Sequence, residues 1–127
     1  MRHVSSRELA EALARRLNEV VPDRISVRLQ GSELAVLYDG EVVGISGAPE
    51  ILETVEALHE PAENLETAVR ASLSGVQDYI ADVTTEPWPG TGGWQPNPDA
   101  RVDADVVSMW FGPEDTPVLR LPPIDLG

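Results

Sequence analysis

Two dipeptides, Gly31-Ser32 and Asp39-Gly40, constrain this chain more than any other feature. They cut the stretch 25–46 into three short segments of strand character. Ile25, Val27 and Leu29 alternate with Ser26, Arg28 and Gln30, which is the period of a half-buried strand. Leu34 to Tyr38 and Glu41 to Ser46 are the next two segments. Asp39-Gly40 suits a type I′ turn, in which both central residues take positive φ, and Gly31-Ser32 suits a II′ turn. Connections this short join antiparallel neighbours. They also pin register, since a slip of one residue would move every apolar side chain to the other face. A three-stranded meander is therefore expected over 25–46.

A meander needs apolar cover. Ser5-Ser6-Arg7-Glu8 forms a capping box, and Leu9, Leu13, Leu17 and Val20/Val21 follow at helical spacing, predicting a helix over about 6–20 that Pro22-Asp23 ends. Gly47-Ala48-Pro49 then breaks the sheet. Apolar residues recur in steps of three and four from 51/52 to 83, and Pro61 interrupts them. Two helices are expected there, about 50–59 and 61–83. Glu50, Glu53, Glu56, Glu60, Glu63 and Glu66 lie largely off the apolar stripe, and those near each helix start suit the macrodipole.

The stretch 84–99 holds four Pro, three Gly and two Trp, so it predicts a long irregular loop. Val102 and Val106 to Phe111 follow as a strand, or a strand broken near 103–105. Gly112 to Thr116 is a turn. Val118 to Leu121 is a partner strand, stopped by Pro122-Pro123. Val106 and Trp110 oppose Val107, Met109 and Phe111, so both faces of that strand are apolar and both need cover. The expected class is α+β, with a mainly antiparallel sheet of about five strands and two or three helices in the order α-βββ-α(α)-ββ. The 127 residues suit a single domain spanning 1–127, with its Pro/Gly/Trp-rich loop at 84–99.

Charge narrows the function classes. The net charge is −13, and residues 31–127 carry three Arg against eighteen acids, whereas residues 1–30 carry six Arg against four. Such a field repels nucleic-acid phosphates and anionic lipid heads, so neither nucleic acid nor membrane is an expected partner. The apolar runs are too short to span a bilayer, and no signal-peptide h-region follows the N-terminus, so a cytoplasmic location is expected. With no Cys, thiolate chemistry and disulfides are excluded. All nine cations are Arg, which reads as the codon bias of a GC-rich genome and excludes a lysine Schiff base.

No catalytic pattern emerges. His3 in the N-terminal tail and His59 beside Pro61 are too few for a zinc site. There is no Gly-x-Ser-x-Gly elbow. Gly90-Thr91-Gly92-Gly93 follows a helix and leads towards Pro and a strand, the reverse of a phosphate-binding loop. Asp99, Asp103 and Asp105, or Asp78 and Asp82, lack the spacing of a calcium loop. No cofactor or metal is expected.

The loop carries the candidate site: Trp88 and Trp94, with Pro87 and Pro89, as a partner-binding surface, because Trp is enriched at interface hot spots and Pro-rich segments are already extended. The competing reading folds both Trp back over the sheet as part of the core. The leading functional expectation is a small acidic, non-enzymatic protein-binding or adaptor protein, chaperone-, immunity- or antitoxin-like, whose partner is another protein or a second copy in a homodimer. The alternatives are a small-ligand protein or enzyme using Asp103 and Asp105 in a pocket under the Trp loop, and a structural subunit of a larger assembly.

Overall fold

The computed structural model describes residues 3–30, 33–46, 54–56, 62–90, 95–103 and 106–125. The elements run β1 (His3–Ser5), α1 (Ser6–Asn18), β2 (Ile25–Gln30), β3 (Glu33–Tyr38), β4 (Glu41–Ser46), β5 (Thr54–Glu56), α2 (Ala62–Thr84), β6 (Pro98–Asp103), β7 (Val106–Phe111) and β8 (Leu119–Asp125). The class is α+β; the described residues form two helices and two three-stranded antiparallel sheets, with a short two-stranded pairing beside them.

The meander forms as expected. Val27 pairs with Val36 and Gln30 with Glu33, leaving the two residues 31–32, which lie outside the described residues, to join β2 to β3. Tyr38 pairs with Glu41 across a two-residue loop, and Asp39 and Gly40 have φ of 51° and 87°, the signs of a type I′ turn. Between β3 and β4 the register shifts. Val36 pairs with Gly44 and Leu37 with Val42, so Val43 is an extra, bulged residue.

The C-terminal strands do not extend this meander. β6, β7 and β8 make a sheet of their own, and β1 pairs with β5 in a third, two-stranded one. The expected single sheet of five strands is thus replaced by separate sheets. The reason lies at the edges, where helix side chains occupy backbone groups that a joining strand would need. The helices link the two larger sheets instead: α1 packs against β2, β3 and β8, and α2 against β3, β4 and β6. The apolar interior is nonetheless shared. Leu9, Leu13, Val36, Val69, Leu73, Met109 and Phe111 are all buried in one cluster drawn from both helices and both sheets.

Three local expectations change. Within the predicted helix 50–59, Thr54–Glu56 form strand β5, paired with His3–Ser5, so β5 is stabilised by a partner about fifty residues away in place of a local helical turn. His3 accordingly belongs to a strand and not to a free tail; His59 and Pro61 lie outside the described residues. The end of the predicted loop, from Pro98, is already strand: β6 pairs with β7 from Pro98↔Phe111 to Asp103↔Val106, giving three C-terminal strands where two were expected. Finally, β8 passes through Pro122-Pro123. Val107 pairs with Ile124 and Met109 with Leu121, so the two prolines together oppose Ser108 in a bulge. β8 is an edge strand, where a missing N–H costs no ladder bond.

A candidate docking edge on the first sheet

Each three-stranded sheet has two edges, and an open edge presents unpaired N–H and C=O groups to any passing strand. Three of the four edges are blunted by identifiable groups. On β2, Asn18 at the end of α1 takes both backbone groups of Val27: its Nδ2 donates to Val27 O at 2.5 Å and its Oδ1 accepts from Val27 N at 2.8 Å. The amide thus stands in for a neighbouring strand. Ile25 N donates to Pro22 O at 3.1 Å.

On β6, α2 supplies the cover. Val102 N donates to Glu66 Oε2 at 2.8 Å, and Ala100 N to Oδ1 of Asp99 at 2.8 Å. The next residue of the same parity, Pro98, has no N–H to satisfy. Arg70 holds Asp99 at 3.1 Å, and Gln77 Nε2 donates to Pro96 O at 2.5 Å, so α2 is fastened along this edge and into the strand's approach. On β8, the Pro122-Pro123 bulge interrupts the edge and Arg16 Nε donates to Pro123 O at 3.0 Å.

β4 differs. Among the described residues the bond reaching it from outside its ladder is from Tyr79 Oη to Ile45 O, at 3.2 Å. Tyr79 lies on the core face, directly over Gly44, where any Cβ would clash with its ring carbon Cδ1. On the other face the exposed apolar side chains are those of β4. Val42, Val43 and Ile45 are 45%, 37% and 39% exposed, and they are three of the four large apolar side chains so exposed among the described residues. Cross-strand partners share a face, so pairing gives two rows on this outer surface: Ser26–Leu37–Val42 and Arg28–Ala35–Ile45. Ala35 and Leu37 are buried in the middle, Ser26 and Arg28 are exposed on the β2 side, and the apolar exposure is concentrated on β4. Glu41 opens β4 opposite Tyr38, and Glu33 on β3 precedes the residue that pairs with Ser46, so an acid stands near each end of β4. Neither has an ion-pair partner among the described residues.

The Trp loop is arranged otherwise. Trp88 is 9% exposed and belongs to the main apolar cluster, its ring edge-on to Phe111 with centroids 5.2 Å apart at 68°. Pro87 and Pro89 flank it half-buried, and the Trp88–Pro89 bond is cis. Trp94 lies outside the described residues. The structure thus places Trp88 beneath the surface, on the core face of β7. The opposite face of β7 carries Trp110, 2% exposed, with the Arg120 guanidinium 5.9 Å from its ring centroid. Sequence reasoning singled out Trp88 and passed over β4. The available signal was Val42-Val43: two consecutive Val in a segment of strand period mark either a bulge or apolar side chains on both faces.

An open cleft of about 340 Å³ lies where the loop enters β6, lined by Asn97, Pro98, Asp99, Gly112 and Pro113. Of these, only Asp99 ionises, and its carboxylate already serves Arg70 and Ala100 N. Asp103, expected as an acid–base group, stands at the other end of β6, and Asp105 lies outside the described residues. No three His, Asp or Glu side chains gather as a metal cluster among the described residues. Among the described residues no helix is long and apolar enough to cross a membrane.

Fold and edge together define an α+β protein built on two three-stranded sheets, with one of their four edges apolar and left open among the described residues. Compared with known proteins, the chain matches no family model, no curated protein and no solved structure.

Proposed function

We propose that this chain is a single-domain, non-enzymatic binding protein, an adaptor of the chaperone, immunity or antitoxin kind, that docks another protein on the β4 side of its first sheet. The observation that carries this reading is the contrast between edges. Asn18, Glu66 with Asp99, and the Pro122-Pro123 bulge each close one edge, whereas β4 keeps Val42, Val43 and Ile45 in solvent. Exposed apolar strand edges are aggregation sites unless something covers them, so an edge left open among the described residues, where the other three edges of the two larger sheets are blunted, is best explained by use. The net charge of −13 keeps such a chain soluble and speeds its encounter with cationic partners. The Trp loop enters this reading through Trp88 as a buried support of the second sheet, with Pro87 and Pro89 shaping its approach.

The test is site-specific photo-crosslinking in cells that make the protein. A benzophenone amino acid at Val43 is expected to yield an adduct with another protein. The same probe at Asp115, exposed on the 112–118 turn, is expected to yield none. An adduct to a second copy would replace partner docking by self-association, and no adduct at all from position 43 would refute the reading.

A further inference from the structure

The exposed strip on β4 is narrow, and an acid stands near each end of the strand. A standard interface buries about 800 Å² on each partner, far more than three side chains at roughly two-fifths exposure supply. Affinity at such a strip must draw on the backbone, and β4 is the edge on which Tyr79 at Ile45 O is the one described occupant. A second copy is disfavoured by charge, because each copy carries −13 and brings its own Glu33 and Glu41 to the contact. An extended segment with cations at its ends sets one near Glu41 at the start of β4 and one towards Glu33, across β4 on β3.

We infer that β4 accepts a fourth strand: an extended segment of the partner protein, apolar at alternate positions and flanked by Arg or Lys, that pairs with the β4 backbone and lays its apolar side chains beside Val42 and Ile45. This rests on the docking reading above and specifies its partner. Main-chain hydrogen bonds supply the affinity, the rows ending in Val42 and Ile45 select alternate side chains, and the two glutamates select charge. Gly44 leaves room for Tyr79 beneath the strand, which ties the docking edge to α2 and hence to the core.

The test pans a library of random peptides of about ten residues, a full strand length, against the intact chain, then maps the enriched peptides on the isotopically labelled protein by amide shifts. Enriched peptides are expected to alternate β-branched or aromatic residues and to carry net positive charge, with shifts centred on 42–46. N-methylation at alternate amides is expected to weaken binding about tenfold or more, while methylation at the intervening amides is tolerated. V42E/I45E is expected to lose binding by about tenfold or more, and V42I/I45V, which keeps the surface apolar, to retain it. Thermal melts of both variants separate this from unfolding. Raising salt from about 50 to about 500 mM is expected to weaken binding several-fold.

Enrichment of acidic peptides, shifts away from β4, indifference to N-methylation, or a dimer in sedimentation that V42E/I45E disperses would each overturn strand addition. A partner adduct from position 43 combined with indifference to N-methylation would sink this inference and leave docking standing. No adduct at position 43 would sink docking itself.

Discussion

At the residue scale, two aromatic contacts hold the parts of the molecule that function depends on. Trp88 joins the loop after α2 to β7 through Phe111. An edge-on aromatic pair contributes about 0.5–1.5 kcal/mol beyond area burial, and removing a buried Trp costs about 3–5 kcal/mol. Trp88→Ala is therefore expected to lower unfolding free energy by about 3–5 kcal/mol in urea titrations, while peptide binding at β4 in the folded fraction stays unchanged. A small stability change would show that Trp88 is not the core residue described. Gly44 is the counterpart on the first sheet. Its missing side chain is what allows Tyr79 to lie flat over β4. Gly44→Val is expected to displace Tyr79 and to cost about 1–3 kcal/mol by overpacking, despite the better strand propensity of Val. Loss of the Tyr79 contact to Ile45 O would appear as a shift of the Tyr79 ring signals.

At the element scale, the helices act on sheet edges as much as on sheet faces. Asn18 ends α1 and pairs with Val27 as a strand would, so Asn18→Ala leaves an N–H and a C=O without their partner. The expected loss is about 1–3 kcal/mol. Asn18→Asp retains the acceptor for Val27 N but sets a carboxylate against Val27 O, and it is expected to be no better than Ala. Denaturant midpoints of the two variants decide the matter. These edge devices also mark where elements were legible. The capping box over Ser5-Ser6-Arg7-Glu8 and the Leu9, Leu13, Leu17 stripe give α1 directly, since helix signals are local. Asp39-Gly40 gives the β3–β4 turn for the same reason. β5 was not legible, because residues 51–58 have helical spacing and the strand exists only through β1, some fifty residues earlier. β6 was hidden because Ala100 and Val102 make a weak alternation between charges, adequate only under the cover of α2. The Pro122-Pro123 pair reads as a stop and acts as a bulge, because whether a proline ends a strand depends on whether that strand lies at an edge.

At the scale of the whole molecule, one apolar cluster serves two sheets that do not share hydrogen bonds. V42E/I45E alters exposed side chains outside that cluster, so it is expected to change stability by less than about 1 kcal/mol while removing binding. Val36→Ala, on the opposite face of the same sheet and fully buried, is expected to destabilise by about 1–3 kcal/mol and to leave peptide selectivity unchanged. Paired urea titrations and binding isotherms separate the two faces. A V42E/I45E variant as unstable as Val36→Ala would mean that the outer face is core as well.

The sequence by itself determined the features that neighbours along the chain can specify: the meander with its short turns, the two helices α1 and α2, the α+β class, and the net charge of −13. Only the tertiary structure decided how these parts meet. Whether two groups of strands join into one sheet depends on which backbone groups are already taken, and Asn18, Glu66 and Asp99 take them through contacts spanning 9, 36 and 1 residues. The candidate site follows the same rule. Val42, Val43 and Ile45 read as ordinary strand residues, and the proposed docking edge emerges only from the contrast with edges that Asn18, Glu66 and Arg16 reach from the helices.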